Sequence, residues 1–251
     1  LHSYTKERFN LWQFVPLSLS ISSVLFLGVQ AYSDHEFLLS RFLLAFGAIF
    51  LFLLRLRIFD EFKDYEHDLI HYSHRPVPRG LISKRELVSL LSIIISIELI
   101  IVVISGINSL LPFVISFAYS LLMFKEFFVK DWLKRNFTAY IISHEILSIP
   151  LFFYICTISG FNIYSFKAPF IWYLIVFVSI TLFILEITRK FRAKEHEIPS
   201  KDTYTAQYGI MPTSFLLIVL SAFSVLIAFN ILSSLYVPVS ILFILPLLSL
   251  I

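Results

Sequence analysis

Apolar residues run along the chain in long blocks broken by shorter polar stretches, at about 11–31, 37–57, 87–105, 108–124, 137–158, 168–188, 211–232 and 237–251. Most approach the roughly 20 residues that a helix rising ~1.5 Å per residue needs to cross ~30 Å of hydrocarbon. The pattern predicts an all-α fold, a polytopic transmembrane helical bundle with eight visible spans in a single domain over residues 1–251. The eighth block is short for a crossing, so the C-terminus is expected to be truncated. The polar stretch LHSYTKERFN leads straight into a full-length span with no small-residue cleavage site, which argues against a cleaved signal peptide.

Composition narrows the class further. Of 251 residues, 58% are hydrophobic and 15% charged, whereas a soluble domain carries about 25% charged residues. An ordinary soluble globule, a disordered chain and a disulfide scaffold are excluded, and the lone Cys156 has no intrachain partner for a disulfide. The net charge of +3 does not point to nucleic acid, because the basic residues lie in loops between spans and form no contiguous patch.

Those basic residues report topology instead. With the N-terminus on one side, the loops on that side hold 18 of the 20 Lys and Arg, leaving Arg41 and Lys167 for the other. By the positive-inside rule the lysine-rich and arginine-rich side is the cytoplasm. The expected location is a cell (inner) membrane, with any chemistry on the cytoplasmic face, where both long polar loops fall.

The first long loop begins RLRIFDEFKDYEHDLIHYSHRPVPRG, from Arg55 to Gly80. Asp60, Asp64 and Asp68 recur every four residues, so on a continuing helix they stand on one face over ~12 Å. Like charges at that spacing repel and call for a counter-charge. Mg²⁺ suits such a row, because it takes oxygen ligands, keeps several waters and bridges carboxylates to substrate phosphates. Glu61 lies one residue off the row and is a further candidate ligand. The alternative is a solvated helix end paired with Arg57 and Lys63. Downstream, the prolines of Arg75-Pro76-Val77-Pro78-Arg79-Gly80 disfavour helix and predict an extended, rigid turn. Its two guanidinium forks suit a diphosphate, and a stiff connector bearing topological arginines is the competing reading.

The block DEFKDYEHD followed by RPVPRG resembles the first signature of the UbiA superfamily of intramembrane prenyltransferases, NDxxDxxxD with a downstream RPxPxG. In that register Asp60 takes the Asn position, Glu61 the first Asp, and Asp64 and Asp68 the remaining two. The loop EITRKFRAKEHEIPSKDTYTAQYG, from Glu186 to Gly209, resembles the second signature less closely. Glu186 and Arg189 match its lead and Asp202-Thr203-Tyr204 its tail, but Lys190 and Lys194 stand where DxxxD is expected. Glu195, Glu197 and Asp202 are the available substitutes.

The resemblance implies a bundle of normally nine spans around a central cavity open to the cytoplasm. It implies Mg²⁺-dependent transfer of a prenyl group from an isoprenoid diphosphate to an aromatic or other small acceptor, as in quinone biosynthesis, with the lipid bilayer as the setting. Asp60, Asp64, Asp68 and Tyr119 are then catalytic, and Asp60, Glu61, Asp64, Asp68, Glu195, Glu197 and Asp202 the metal ligands. Lys63, Arg75, Arg79, Lys125, Arg189 and Lys190 would contact the diphosphate. Tyr119 and Lys125, in YSLLMFK, sit where the family places a Tyr and a Lys; interfacial anchoring is their other reading.

His144 and Glu145 lie inside the fifth block and Glu98 inside the third. Ionisable groups at depth face the bundle interior. His144 and Glu145 are candidates for orienting an acceptor or taking its proton, whereas Glu98 is expected to fix packing through an interhelical hydrogen bond. An ion-coupled carrier would place its acids near mid-bilayer on broken helices, and these cluster at one face. A catalytically altered family member is the remaining alternative. A CDP-alcohol phosphotransferase would need a DGxxAR segment, which is missing.

Overall fold

The computed structural model describes residues 2–33, 38–165, 169–196 and 203–235, and these are helical with no strand among them. They form two compact units, Leu1–Phe166 and Lys167–Ile251.

In the first unit a short helix α1 (His2–Arg8) precedes α2 (Leu11–Ser33) and α3 (Leu39–Lys63); α4 (Tyr65–His71) follows directly. A turn-rich connection leads to α5 (Lys84–Ser105) and α6 (Ile107–Phe124), then to α7 (Lys130–Arg135), α8 (Phe137–Glu145) and α9 (Ser148–Ile158). The second unit holds α10 (Pro169–Arg189), α11 (Tyr204–Tyr208) and α12 (Ile210–Ser234). Seven helical stretches are long and apolar enough to cross a membrane: α2, α3, α5, α6, the α8–α9 pair, α10 and α12. They coincide with the first seven apolar blocks, and the eighth, at 237–251, lies outside the described residues. Large side chains such as Val103, Ile104, Ile107, Met211 and Ile218 stand exposed along these helices. Water would disfavour such surfaces, and hydrocarbon accepts them.

Local chemistry explains the helix ends. Ser83 and Glu86 close a reciprocal capping box at the start of α5, satisfying two backbone donors. Gly106, at φ 89°, ends α5 and starts α6 in one residue, a conformation few side chains tolerate. In the first unit α3 is central, packing against α2, α5, α6 and α9. Beneath its polar end Tyr4, Ile58, Val77, Ile82, Leu87 and Ile94 form a buried apolar cluster joining α1, α3, the turn region and α5. Helix α9 is buried from Leu151 to Ile158, and Gln30 Nε2 of α2 donates to Ser159 O at its end (2.6 Å).

Two sequence expectations change here. The apolar block ends near residue 57, but α3 runs on to Lys63, so Arg55 lies inside the helix and not in a loop. It is 0% exposed and donates to Glu98 of α5 (Nε to Oε2 2.8 Å) and to Ser120 Oγ of α6 (2.6 Å), between the rings of Phe52 and Phe117. Arg55 therefore counts toward packing rather than topology, and Glu98 makes the interhelical contact expected of it. The segment 75–80 is also a compact series of turns rather than extended chain. Arg79 N–H reaches Arg75 O (3.0 Å), Gly80 N–H reaches Val77 O (3.0 Å) and Leu81 N–H reaches Pro76 O (2.8 Å). Burying Val77 in the apolar cluster accompanies that folding-in.

Candidate active site

The acidic run begins on the last turns of α3 and continues onto α4, with a break at Asp64 (φ −95°, ψ 5°). Backbone bonding persists through the break, since Asp64 N–H reaches Asp60 O (2.9 Å) and Asp68 N–H reaches Asp64 O (2.8 Å). The acidic and basic side chains around it divide into two groups.

Glu61 and Asp68 face α1 and the turn region. Both are 2% exposed. Arg8 Nε lies 2.5 Å from Glu61 Oε1, and Arg8 Nη2 lies 3.8 Å from Asp68 Oδ2. Arg75 Nη1 donates to Asp68 Oδ1 (2.6 Å) while its guanidinium stacks on Tyr72. Arg79 donates to Glu7 Oε1 (2.6 Å) and His74 O (3.1 Å). Arg75 and Arg79 thus spend their forks on this chain's own acceptors, and Arg8 bridges two carboxylates. Tyr4 lies against the same group; burial pushes its hydroxyl well above the ordinary value, and the Glu61 charge adds to this.

Asp60 and Asp64 belong to the second group. The Asp60 side chain is 40% exposed, with Lys63 Nζ and Arg57 Nη1 each 3.7 Å from its oxygens. Lys63 Nζ and the Tyr140 hydroxyl both lie in the field of Asp60, Asp64 and Glu126. Lys63 sits on α3, Tyr140 on α8 and Glu126 in the turn after α6. The Lys63 charge offsets part of the charge of these acids, and the Arg57 charge is shared between Asp60 and Glu61.

Beside this group is an aromatic patch. Tyr119 of α6 donates its hydroxyl to Ser143 O (2.8 Å), and its ring meets Phe127 edge-on, 5.5 Å between centroids. Tyr140 and His144 stack at 4.0 Å, with His144 Nδ1 2.8 Å from Tyr140 O. Glu145 ends α8, at the interruption before α9. Lys125 caps α6 and is exposed beside the Phe124 ring.

In the second unit Arg189 Nη2 and Lys190 Nζ both hold Glu186 (2.7 and 2.8 Å). Glu195 is exposed on a short 3₁₀ turn. Glu197 and Asp202 lie outside the described residues. Thr203 caps α11, and Thr205 Oγ1 accepts from Arg192 N–H (3.1 Å).

Among the described residues no three His, Cys, Asp or Glu side chains converge closely enough to form a ready metal cage. Mg²⁺ does not require one, since it keeps most of its waters and takes one or two carboxylates together with substrate phosphate oxygens. Asp60 and Asp64 fit that need, and Glu126 Oε2 is buried with no hydrogen-bond partner among the described residues. Glu61 and Asp68 fit it less well, because arginines already neutralise them. Sequence reasoning missed Arg8, Tyr4 and Glu126. Arg8 had counted only as one more positive charge before the first span, and neither Tyr4 nor Glu126 carries a motif.

Known proteins agree with this architecture. A comparison with curated proteins finds no match. A solved structure of a digeranylgeranylglyceryl phosphate synthase superposes with a TM-score of 0.55 at 19% identity, over 85% of this chain and 72% of that one, a likeness of fold. Residues 20–251 match the UbiA prenyltransferase family, nearly the whole chain, from within α2 through the six apolar helices that follow it. With the helical fold and the acidic run at the end of α3, that match identifies the chain as an integral membrane protein of the UbiA prenyltransferase family.

Proposed function

We propose that this chain, as one domain over 1–251, transfers a prenyl group from an isoprenoid diphosphate to an aromatic or other small acceptor, with Mg²⁺ on Asp60 and Asp64. The observation that carries the proposal is Asp60 beside Lys63, one helical turn before Asp64, at the polar end of a 25-residue apolar helix. A diphosphate headgroup belongs at that end, and its hydrocarbon tail belongs among the apolar side chains below.

Bound Mg²⁺ would offset the charge that builds on the departing diphosphate. In the transfer, the C1–O bond of the prenyl diphosphate breaks and its electron pair leaves with the diphosphate. An electron pair of the acceptor forms the new bond at C1, and the acceptor's proton passes to a base. Lys63 and Lys125 supply positive charge to the leaving group. Because the Tyr119 hydroxyl is committed to Ser143, it is the ring of Tyr119 that would meet the allylic cation. With the Nδ1 proton given to Tyr140 O, the lone pair of His144 sits on Nε2, the tautomer suited to take a proton. Glu145 is its neighbour on α8 and the second candidate for orienting the acceptor. The basic loops support a cytoplasmic active site in a cell membrane.

The test is an assay of membranes containing the full chain with radiolabelled prenyl diphosphates of graded length and a panel of aromatic acids, quinone precursors and glyceryl phosphates. The expected result is prenylated product and diphosphate release that require Mg²⁺ and fall at least 100-fold in Asp64→Asn, a loss of about 2.7 kcal/mol in transition-state stabilisation. Metal-independent solute flux unaffected by Asp64→Asn would overturn the proposal in favour of a carrier. Prenyl diphosphate binding without turnover on any acceptor would mark a catalytically altered family member.

A further inference from the structure

Many basic side chains of this protein are spent on its own acids. Arg8, Arg55, Lys63, Arg75 and Arg79 pair with Glu61, Glu98, Asp60, Asp68 and Glu7, and Arg189 and Lys190 both hold Glu186. Those of α7 are not. Lys130 and Lys134 are exposed and make no ion pair or side-chain hydrogen bond among the described residues. Arg135, also exposed, donates its Nε to the backbone carbonyl of Asp131 (3.1 Å) and to no carboxylate among the described residues. Asp131 is the one acid on this helix, so its charge leaves most of the positive charge of α7 unanswered.

The position of α7 says where the answering charge comes from. Residues 125–136 join two helical stretches that are each long and apolar enough to cross a membrane, and this connection, with a turn and a helix folded into it, is too short to lift α7 clear of the headgroup layer. At its start the Phe124 ring meets the Phe59 ring with centroids 4.9 Å apart, which sets it beside the end of α3 that carries the acidic run. The chain leaves α6 through a turn in which Glu126, Phe127 and Phe128 take φ of 46°, 54° and 60°, three consecutive non-glycine residues in the left-handed region. Such backbone persists where surrounding contacts over-determine it. Here Phe128 N–H bonds Lys125 O (3.0 Å) and Val129 N–H bonds Glu126 O (3.0 Å), while the Phe127 ring meets Tyr119 and His144 edge-on. Leu133 is a second inward anchor, buried in the body of the first unit.

With Phe127 and Leu133 holding the segment from inside, Trp132 is turned out, 53% exposed, and Arg135 follows it one turn later. A water-facing turn gains nothing from an exposed indole, whereas the boundary between hydrocarbon and water accepts both its apolar ring and its N–H. Lysine and arginine suit the same boundary, since their stems lie along apolar surface while the charged ends reach the phosphates. Cations that no acid of the chain neutralises favour anionic over zwitterionic headgroups. We propose that Lys130, Trp132, Lys134 and Arg135 form a docking surface for anionic phospholipid headgroups, with the indole in the interfacial layer and the three cations at the level of the phosphates. The surface stands apart from the acidic run and from the groups assigned to prenyl transfer, so its test does not depend on that activity.

The experiment uses the full chain with Trp12→Phe and Trp172→Phe, which leaves Trp132 as its one tryptophan. It is placed in phosphatidylcholine nanodiscs carrying an equal minor fraction of either brominated phosphatidylglycerol or brominated phosphatidylcholine, since bromine quenches indole fluorescence on contact. Phosphatidylglycerol is expected to quench Trp132 at least about twofold more strongly. The excess should vanish in about 1 M salt, where screening acts within about 3 Å. It should vanish equally when Lys130→Gln, Lys134→Gln and Arg135→Gln are combined, and persist in Arg41→Gln, which removes an exposed cation at the other end of α3. Phe128 is left unaltered, because changing it also changes the left-handed backbone. Equal quenching by the two lipids, or an excess that survives in the triple variant, would overturn the proposal. Quenching by neither lipid would overturn it too, and cross-linking between chains at Lys130 or Lys134 would then assign the face to a second copy. Should the single-tryptophan chain not fold, thermal unfolding of the chain with all its tryptophans reads the same effect. Exchanging part of the phosphatidylcholine for phosphatidylglycerol should raise the midpoint more in wild type than in the triple variant, and equal rises would overturn the proposal.

Discussion

Arg55 Nε lies 2.8 Å from Glu98 Oε2, and this ion pair joins α3 to α5 where both side chains are almost fully buried. The guanidinium also binds Ser120 of α6 and is flanked by three phenylalanine rings, so one charge links three helices. Removing one partner strands the other charge, at a cost of about 3–5 kcal/mol, whereas replacing both with apolar residues of similar volume is often nearly neutral. Glu98→Ala is therefore expected to lower the unfolding midpoint of the detergent-solubilised protein sharply, and Arg55→Met with Glu98→Leu to recover most of the loss. A double variant no more stable than Glu98→Ala would show that the pair itself, and not merely its charge balance, holds the bundle.

Arg8 makes a comparable contact outside the spans. Its guanidinium bridges Glu61 and Asp68, and Glu7 beside it pairs with Arg79, so α1 is fastened to the carboxylate face at two points. Among the described residues Arg8→Ala leaves Glu61 with Arg57 at 3.9 Å, and a destabilisation of about 1–3 kcal/mol is expected. The sensitive measurement is limited proteolysis. Cleavage within residues 2–10 should speed up in Arg8→Ala, and Arg8→Lys should lie between it and wild type. Equal cleavage rates in all three would mean that the Tyr4 packing alone seats the helix.

These contacts mark where the sequence was legible and where it was not. Seven spans could be read because hydrocarbon demands uninterrupted apolar length. Glu98 could be read as an interior contact because a charge at depth must find a partner. Its partner could not, because Arg55 stands at the end of an apolar block and looks like a topological charge until the helix is seen to run eight residues further. The row of acids was visible, but its division between Arg8 and Lys63 was not. That division depends on the break at Asp64 and on the seating of α1, which are tertiary facts. Glu126 was invisible, since no local rule puts two phenylalanines and a glutamate in left-handed backbone.

Tyr4 yields a prediction in pH. Its hydroxyl is buried and raised above the ordinary value of 10.0, chiefly by desolvation and then by Glu61. In the unfolded chain the phenol loses its proton near pH 10, while the folded chain holds it longer. The folded state then binds more protons than the unfolded state, and stability falls as pH rises above about 10, by up to about 1.4 kcal/mol per unit. Tyr4→Phe removes that dependence along with a buried hydroxyl that has no hydrogen-bond partner among the described residues. The variant should match or slightly exceed wild type at neutral pH and should become progressively more stable than wild type above pH 10. Parallel stability curves from pH 8 to 11.5 would show that the folded protein lets this phenol ionise freely.

Phe128 tests the strained turn without touching the carboxylates. At φ 60° it is mostly exposed, so its side chain contributes little packing to the turn. Glycine takes this conformation without a Cβ penalty, although it also gains freedom in the unfolded chain. The two effects oppose each other, and relief of about 1–2 kcal/mol of left-handed strain outweighs an unfolded-state term of about 0.4–1 kcal/mol. Phe128→Gly is therefore expected to raise stability modestly, by up to about 1 kcal/mol, in thermal unfolding of the reconstituted protein. Phe127→Gly should do the reverse despite its similar φ, because it gives up the ring contacts with Tyr119 and His144. If both variants lose stability equally, the left-handed backbone is not where the strain resides.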